Sequence, residues 1–223
     1  MSDPSQIRVA VIGATGFVGA PIAAEAARRG HAVTRISRSV RDGEGGGRSV
    51  ALDVFDEAAL AESLVDHDVV VHAYNPGRGS TAPDVYDTFV AGHRAIIAAT
   101  LAARIPRLLC VGGAGSLLTR SGIPLLESDE WPRQFDIYRP SIMATRELYY
   151  LLRDTPAALD WVFLAPASML TEEAPCGDYR IGTDHLLYDS NGDSRIAVGD
   201  YAAAMIDELE RPRHHRQRFT VGY

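Results

Sequence analysis

The stretch "VAVIGATGFVGAPIAAEAARRGHAV", residues 9 to 33, passes from an apolar run through a glycine-punctuated turn into an alanine-rich helical pattern. Gly13, Gly16 and Gly19 form G-x-x-G-x-x-G at that junction. The first glycine permits a tight turn, the second lets the backbone approach a pyrophosphate, and the third allows the helix to pack closely on the strand. The unpaired N–H groups of the helix start then face an anion. Gly13, Thr15, Gly16, Phe17 and Val18 are therefore read as the dinucleotide cradle. The motif carries this meaning only between a strand and a helix within a βαβ unit, and the chain continues in that way. Pro21 lies deep enough in the pattern to predict a slight kink.

Short apolar runs alternate with helical patterns along the chain: "IRVAVIG", a helix over 17–29, "HAVTRIS", a helix over 56–65, "DVVVHAY", a helix over 84–103, "RLLCVGG", a helix over 141–153, and "LDWVFLAP". Runs such as "DVVVHA" suit strands covered on both faces, and right-handed crossovers make them a doubly wound parallel sheet, an α/β fold. Beyond residue 167 the pattern loosens into short strands and turns before a helix over 201–210 and a last strand, "RFTVGY". Residues 168–200 are expected to form most of a small substrate-side lobe on a single domain spanning 1–223. A chain of 223 residues is long enough to bury about 70% of its unfolded surface in one unit. The Gly- and Pro-rich stretches "RSVRDGEGGGRS" and "NPGRGSTAPD" read as loops following strand ends, where such sheets bind ligands.

A net charge of -7 opposes non-specific attraction to nucleic acid. No apolar run is long enough to span a bilayer, and "MSDPSQIRVAV" lacks the features of a secretory signal, so a cytoplasmic location is expected. The two cysteines, Cys110 and Cys176, give neither a disulfide framework nor a metal spacing. The basic run "RPRHHRQR" reads as a solvated turn, and the adjacent His214 and His215 diverge too far to share a metal. The chain is expected to work as a monomer or homodimer on a small molecule.

The second strand ends in "ISRS", with Ser37 and Arg38 where NAD-binding proteins commonly place an acid for the ribose hydroxyls. No acid follows before Asp42. Arg38, with Arg35 and Arg41 nearby, matches the 2′-phosphate of NADP, which makes NADPH the expected cofactor and NAD the second choice. In "ALDVFD", Asp53 and Val54 are placed at the adenine edge, with a cap on the next helix as the alternative role for Asp53.

With "GATGFVG", the segments "AYNPG" at 73–77, "VGGAGSL" at 111–117, "DWVFLAPA" at 160–167, "GDYRIGTDHLL" at 177–187 and the C-terminal "SRIAVGDYAAAMIDELERPRHHRQRFTVGY" resemble the atypical short-chain dehydrogenases, in particular bacterial NADH-flavin reductase-like and NAD-dependent epimerase-like proteins. The resemblance covers nearly the whole chain. It implies a Rossmann fold, NAD(P) in the cleft and a substrate lobe from the C-terminal third. Tyr74, Asn75 and Pro76 follow the fourth strand and Pro166 the sixth, so all are expected to line the nicotinamide end, with Ala73, Gly112 and Gly113 also along the cofactor; Tyr179, Arg180 and His185 are candidate substrate contacts, with ordinary surface roles as the alternative. Members of the wider family use a Ser and a Tyr-x-x-x-Lys pair, the lysine lowering the tyrosine pKa. Here Tyr138 is followed four residues later by Ile142, and Ser116 stands after a run of glycines. Ser116 and Tyr138 are the catalytic candidates, with a local cap and rim packing as their alternative roles.

Three functions follow from this pattern. The first is reduction by NADPH of a flavin or quinone-like acceptor, whose reduced form is a delocalised anion that needs no enzymic acid. The second is a dinucleotide-sensing regulator resembling the nitrogen-repressor proteins. The third is a nucleotide-sugar epimerase, which would require a tyrosine base absent from its usual place.

Overall fold

The computed structural model describes residues 6–39, 47–77 and 79–223. Residues 40–46, which include Arg41, Asp42 and all but the last of the clustered glycines, and the first five residues lie outside that set, as does Arg78. The chain folds as β1 (Arg8–Ile12), α1 (Gly19–Arg28), β2 (Ala32–Ser37), β3 (Arg48–Ala51), α2 (Glu57–Leu64), β4 (Val69–His72), α3 (Val85–Ala102), β5 (Arg107–Val111), α4 (Arg139–Arg153), β6 (Asp160–Pro166), β7 (Met169–Thr171), β8 (Arg180–Gly182), β9 (Arg195–Ala197), α5 (Val198–Glu210) and β10 (Gln217–Gly222). Eight strands form one sheet in the order β3-β2-β1-β4-β5-β6-β10-β8, parallel except for β8. This is the doubly wound Rossmann arrangement that the alternation predicts, with the order reversing at β1 and β4.

The continuous apolar runs are buried on both sides. Val70, Ile12, Leu108 and Phe163 face α2, α3 and α4, whereas Val9, Val71, Leu109 and Leu164 face α1 and α5. All four residues of β4 are buried, which explains why "VVVH" shows no polar alternation.

The helix after the glycine turn starts at Gly19 rather than 17, which places Pro21 in its first turn. The hydrogen bonds on either side, Ala20 N–H to Gly16 and Ile22 N–H to Val18, survive at 3.0 and 3.2 Å. A proline there removes no interior bond, so the kink expected from sequence has no cause. Pro140 sits in the first turn of α4 on the same terms, so that helix starts at Arg139, earlier than the pattern predicts.

The "RPRHHRQR" run is solvated only in part: residues 211–213, His215 and Gln217 are exposed, while His214, Arg216 and Arg218 are partly buried. His214 stacks on Phe219 at 4.1 Å and meets the buried Glu208 at 2.7 Å. Arg216 donates to the carbonyls of Thr155, Pro156 and Leu159, fastening the last strand to the turn before β6. Between β6 and α5, β7 and β9 make a two-stranded parallel pair. The buried Asp200 ties the loop before β8 to α5, accepting from the N–H groups of Cys176 and Gly177 at 2.8 and 2.9 Å and from the Tyr223 hydroxyl at 2.5 Å. No described helix is long and apolar enough to cross a membrane.

Candidate functional site

At the carboxyl ends of β1, β2 and β4 a pocket of about 200 Å³ opens at the point where the strand order reverses. Gly13, Thr15, Gly16, Ser37, Arg38, Val54, Ala73, Tyr74 and Asn75, all singled out from sequence, line it. Ile12, Ile36 and Leu52 complete its apolar wall; their chain positions just before or after the turns would have identified them.

The three glycines differ in what surrounds them. Gly13 has φ +83°, and a Cβ there would stand 2.4 Å from the Ala73 carbonyl oxygen. A Cβ on Gly19 would approach the Gly13 carbonyl oxygen to 2.2 Å, so the helix crosses the turn in direct backbone contact. Gly16 differs: its nearest neighbour would be 3.2 Å away and its φ is not positive, so its bareness serves the open space in front of it. No side chain caps the start of α1, and its first turn carries no acid. The N–H end and its partial positive charge are thus available to an anion. An unobstructed backbone cradle, an uncapped helix start and an apolar slot beside them fit a dinucleotide pyrophosphate and its adenosine.

Tyr74 forms one wall through an unusual accommodation. Its ring packs edge-on against Phe89 at 5.7 Å, and occupies space that a Cβ on Gly92 of α3 would invade to 2.3 Å. The Tyr74 N–H donates to His72 Nδ1 at 3.3 Å, and His72 Nε2 stands 2.9 Å from His93 Nδ1. That chain fixes both tautomers: His72 carries its proton on Nε2 and donates it to His93, which carries its own on Nε2. Burial pushes His72 down to about 3 and holds His93 well below its ordinary value, so both rings are neutral. The sequence reading passed over this pair. His93 lies four residues from both Phe89 and Ile97 on the apolar face of α3, the one signal that could have flagged it.

Arg38 is exposed at the pocket mouth, its Nη2 3.4 Å from the Pro76 carbonyl oxygen. Ser37 donates its hydroxyl to the Ser39 carbonyl at 2.7 Å, and Asn75 accepts from the Gly77 N–H at 2.9 Å, so both stiffen their turns. Arg35 lies within β2 with its guanidinium turned toward Gly47. Asp53 is outside the pocket lining and accepts from the Phe55 N–H at 3.1 Å. It does not cap the next helix; Asp56 does, accepting from the Ala59 N–H. Phe17 and Val18 stand at the entry to α1, outside the lining, and Val18 packs on the core.

Gly112, Gly113 and Pro166 lie at the ends of β5 and β6, further along the same edge of the sheet. Gly112 is obliged to be glycine by Phe163, whose ring would be 2.4 Å from its Cβ. The Ser116 hydroxyl is buried and donates to the Gly113 carbonyl at 2.9 Å, closing its own turn. Tyr138 is half-buried at the start of α4, its ring beside Gly79 in the loop after β4. All 22 basic residues of the chain are arginines, so no lysine exists to partner that phenol from any position. Tyr179 is held by Asp207 of α5, and Arg180 by the carbonyls of Tyr188 and Tyr223, while His185 is exposed with its backbone bridged to Leu118.

Comparison with known proteins agrees with this geometry. The family model described as NAD(P)H-binding matches residues 13–210. The Bacillus subtilis protein YwnB is 35% identical over 221 residues, covering 96% of this chain and 98% of that protein. A Bacteroides thetaiotaomicron structure, provisionally assigned as an epimerase, superimposes with a TM-score of 0.86 at 37% identity, covering 98% of this chain and 97% of that one. A Streptococcus pneumoniae structure, provisionally assigned as an NADH-flavin reductase, gives 0.83 at 29% identity, covering 97% of this chain and 99% of that one. The cradle glycines, the pocket at the strand-order reversal and these likenesses converge: the chain belongs to the NAD(P)H-binding family.

Proposed function

We propose that this protein is an NADPH-dependent oxidoreductase that passes reducing equivalents to a flavin or quinone-like acceptor. The observation that carries the reading is the pairing of an intact dinucleotide cradle with a chain devoid of lysine. Bound in the cradle, a reduced nicotinamide supplies a hydride, which such an acceptor takes up with one proton from solvent, so that NADPH, a proton and the oxidised acceptor balance NADP⁺ and the reduced acceptor. The chain's task is binding, orientation and exclusion of competing geometries. Gly13, Gly16 and the start of α1 hold the pyrophosphate; Val54, Ile36 and Tyr74 enclose the adenosine; Arg38 pairs with the 2′-phosphate. Gly112, Gly113 and Pro166 shape the nicotinamide end. Tyr138 and Ser116 contribute at most a hydrogen bond to the acceptor, because no lysine is present to partner the phenol and the serine hydroxyl is engaged in its own turn. Support also comes from the Streptococcus pneumoniae neighbour, whose provisional assignment names flavin as the acceptor.

The missing lysine equally favours a dinucleotide sensor without turnover. A screen of NADPH oxidation against FMN, FAD, riboflavin and simple quinones separates the two. Steady oxidation with a flavin or quinone supports the reductase. Tight NADPH binding with no oxidation by any of them moves the assignment to the sensor.

A further inference from the structure

Tyr74 carries a polar atom into the dinucleotide pocket that neither the fold nor the reaction proposed above uses. What fixes this residue acts on its ring and its backbone. The ring fills the gap left by Gly92 on α3, where a Cβ would come within 2.3 Å of it, and meets Phe89 edge-on at 5.7 Å. The backbone N–H donates to His72 Nδ1 at 3.3 Å. No described residue hydrogen-bonds to the hydroxyl. Burial pushes the phenol above its ordinary value, so at neutral pH it keeps its proton and donates.

The charges that bear on that hydroxyl belong to one corner of the pocket. The Arg38 guanidinium favours its ionisation and the Asp53 carboxylate opposes it. Arg38 follows β2 and Tyr74 follows β4, on either side of β1, and both line the pocket. The Arg38 side chain reaches over the end of β1 to the Pro76 carbonyl oxygen, two residues beyond Tyr74, at 3.4 Å. That long contact leaves most of the guanidinium donors free. Asp53 stands outside the lining, with Oδ1 engaged by the Phe55 N–H at 3.1 Å. A cation and a phenolic donor therefore converge where the adenosine slot opens, and a phosphate monoester, with three acceptor oxygens, can take both. Arg38 is exposed, so its pull is weakened by solvent and salt, whereas the packed phenol donates with little side-chain freedom left to lose.

We propose that Tyr74 is a specificity-determining residue for the cofactor: its hydroxyl donates to the 2′-phosphate of NADPH beside the Arg38 guanidinium. This rests on the NADPH reading above and adds a second recognition group to it. The ribose hydroxyl that NADH carries at the same place is a neutral acceptor, which takes the same donor at about half the strength. Discrimination thus comes from a rigid neutral donor as well as from a mobile charge, and the part owed to Tyr74 is the part that salt does not remove.

The test titrates two fragments of the cofactor, adenosine 2′,5′-bisphosphate and 5′-AMP, into wild type and Tyr74→Phe by calorimetry. Neither fragment carries the nicotinamide, so acceptor and turnover do not enter. Tyr74→Phe keeps the ring in the Gly92 gap and removes the hydroxyl alone, which an unchanged thermal midpoint verifies. Wild type should bind the bisphosphate about tenfold or more tightly than 5′-AMP. Tyr74→Phe should weaken the bisphosphate by about tenfold, at low and high salt alike, and 5′-AMP by about threefold or less. A bisphosphate preference that survives Tyr74→Phe, or equal losses for the two ligands, as a residue that only shapes the wall would give, overturns the inference and leaves the NADPH reading standing. Wild type that binds both fragments equally removes that reading and the inference with it.

Discussion

The buried His72–His93 pair makes the dinucleotide pocket sensitive to acid in a calculable way. Both imidazoles are almost wholly enclosed, at 1% exposure each, and both are neutral in the folded state. Unfolded, each would titrate near 6.5. The folded values lie below the unfolded ones, so the unfolded chain binds more protons at low pH. The stability the pair confers is complete above about pH 6.5 and is lost as pH falls toward 3. Between pH 7 and pH 5 the linkage relation gives about 2 kcal/mol for His72, and His93, depressed in the same direction, adds to it. That is a large share of the roughly 5–15 kcal/mol that keeps a domain folded. His93→Phe retains a planar ring beside Phe89 and removes one of the two titrations. Urea unfolding at pH 7 and pH 5 should then show wild type losing more stability than the variant over that interval. Carboxylates and the other histidines titrate in both proteins and cancel in the difference. Equal losses in the two proteins, or an NMR titration placing either imidazole near pH 6.5 in the native state, would refute the account of the pair.

Arg38→Ala should weaken NADPH binding by about tenfold to a hundredfold and leave NADH nearly unchanged, the gap closing at high salt because the guanidinium is exposed; fluorescence titration of both cofactors checks this. Tyr138→Phe should slow flavin reduction by less than tenfold, since no lysine is present to complete a proton relay with the phenol; a loss of several orders of magnitude at unchanged NADPH affinity would contradict the positioning mechanism. Gly13→Ala should lower the thermal midpoint, because it adds a left-handed backbone penalty of about 1–2 kcal/mol to a contact of 2.4 Å with the Ala73 carbonyl oxygen. Calorimetry of the purified variant measures that shift.

The parallel sheet and the cradle were legible because each rests on local signals: continuous apolar strands, glycines at a fixed spacing, and an arginine where an acid is usual. Five of the pocket's lining residues, Gly13, Thr15, Gly16, Ser37 and Arg38, come from those signals. Contacts formed by distant segments were not legible. Tyr74 depends on the absence of a side chain at Gly92, and on His93, both eighteen or more residues away on α3. The Tyr188 hydroxyl meets Glu130 across 58 positions, with no periodicity to announce it. In "RPRHHRQR" the exposed residues match the solvated turn read from sequence, but the partners of His214 and Arg216, Glu208 and the carbonyls before β6, come to meet them only in the fold. Pro21 was misjudged by two residues of helix boundary, the least secure part of any periodicity argument.

Calorimetric titration of NADPH into the wild-type chain and into Gly16→Val tests the central claim most directly. Gly16 has no positive φ, and a Cβ there would crowd only the Gly13 carbonyl oxygen, at 3.2 Å, so the variant is first shown to fold by a cooperative thermal transition, and its side chain then fills the space kept for the pyrophosphate. The account predicts saturable, one-to-one NADPH binding to the wild type and none to a folded Gly16→Val. Wild-type protein that binds no dinucleotide, or a folded Gly16→Val that binds NADPH as tightly as wild type, would contradict it.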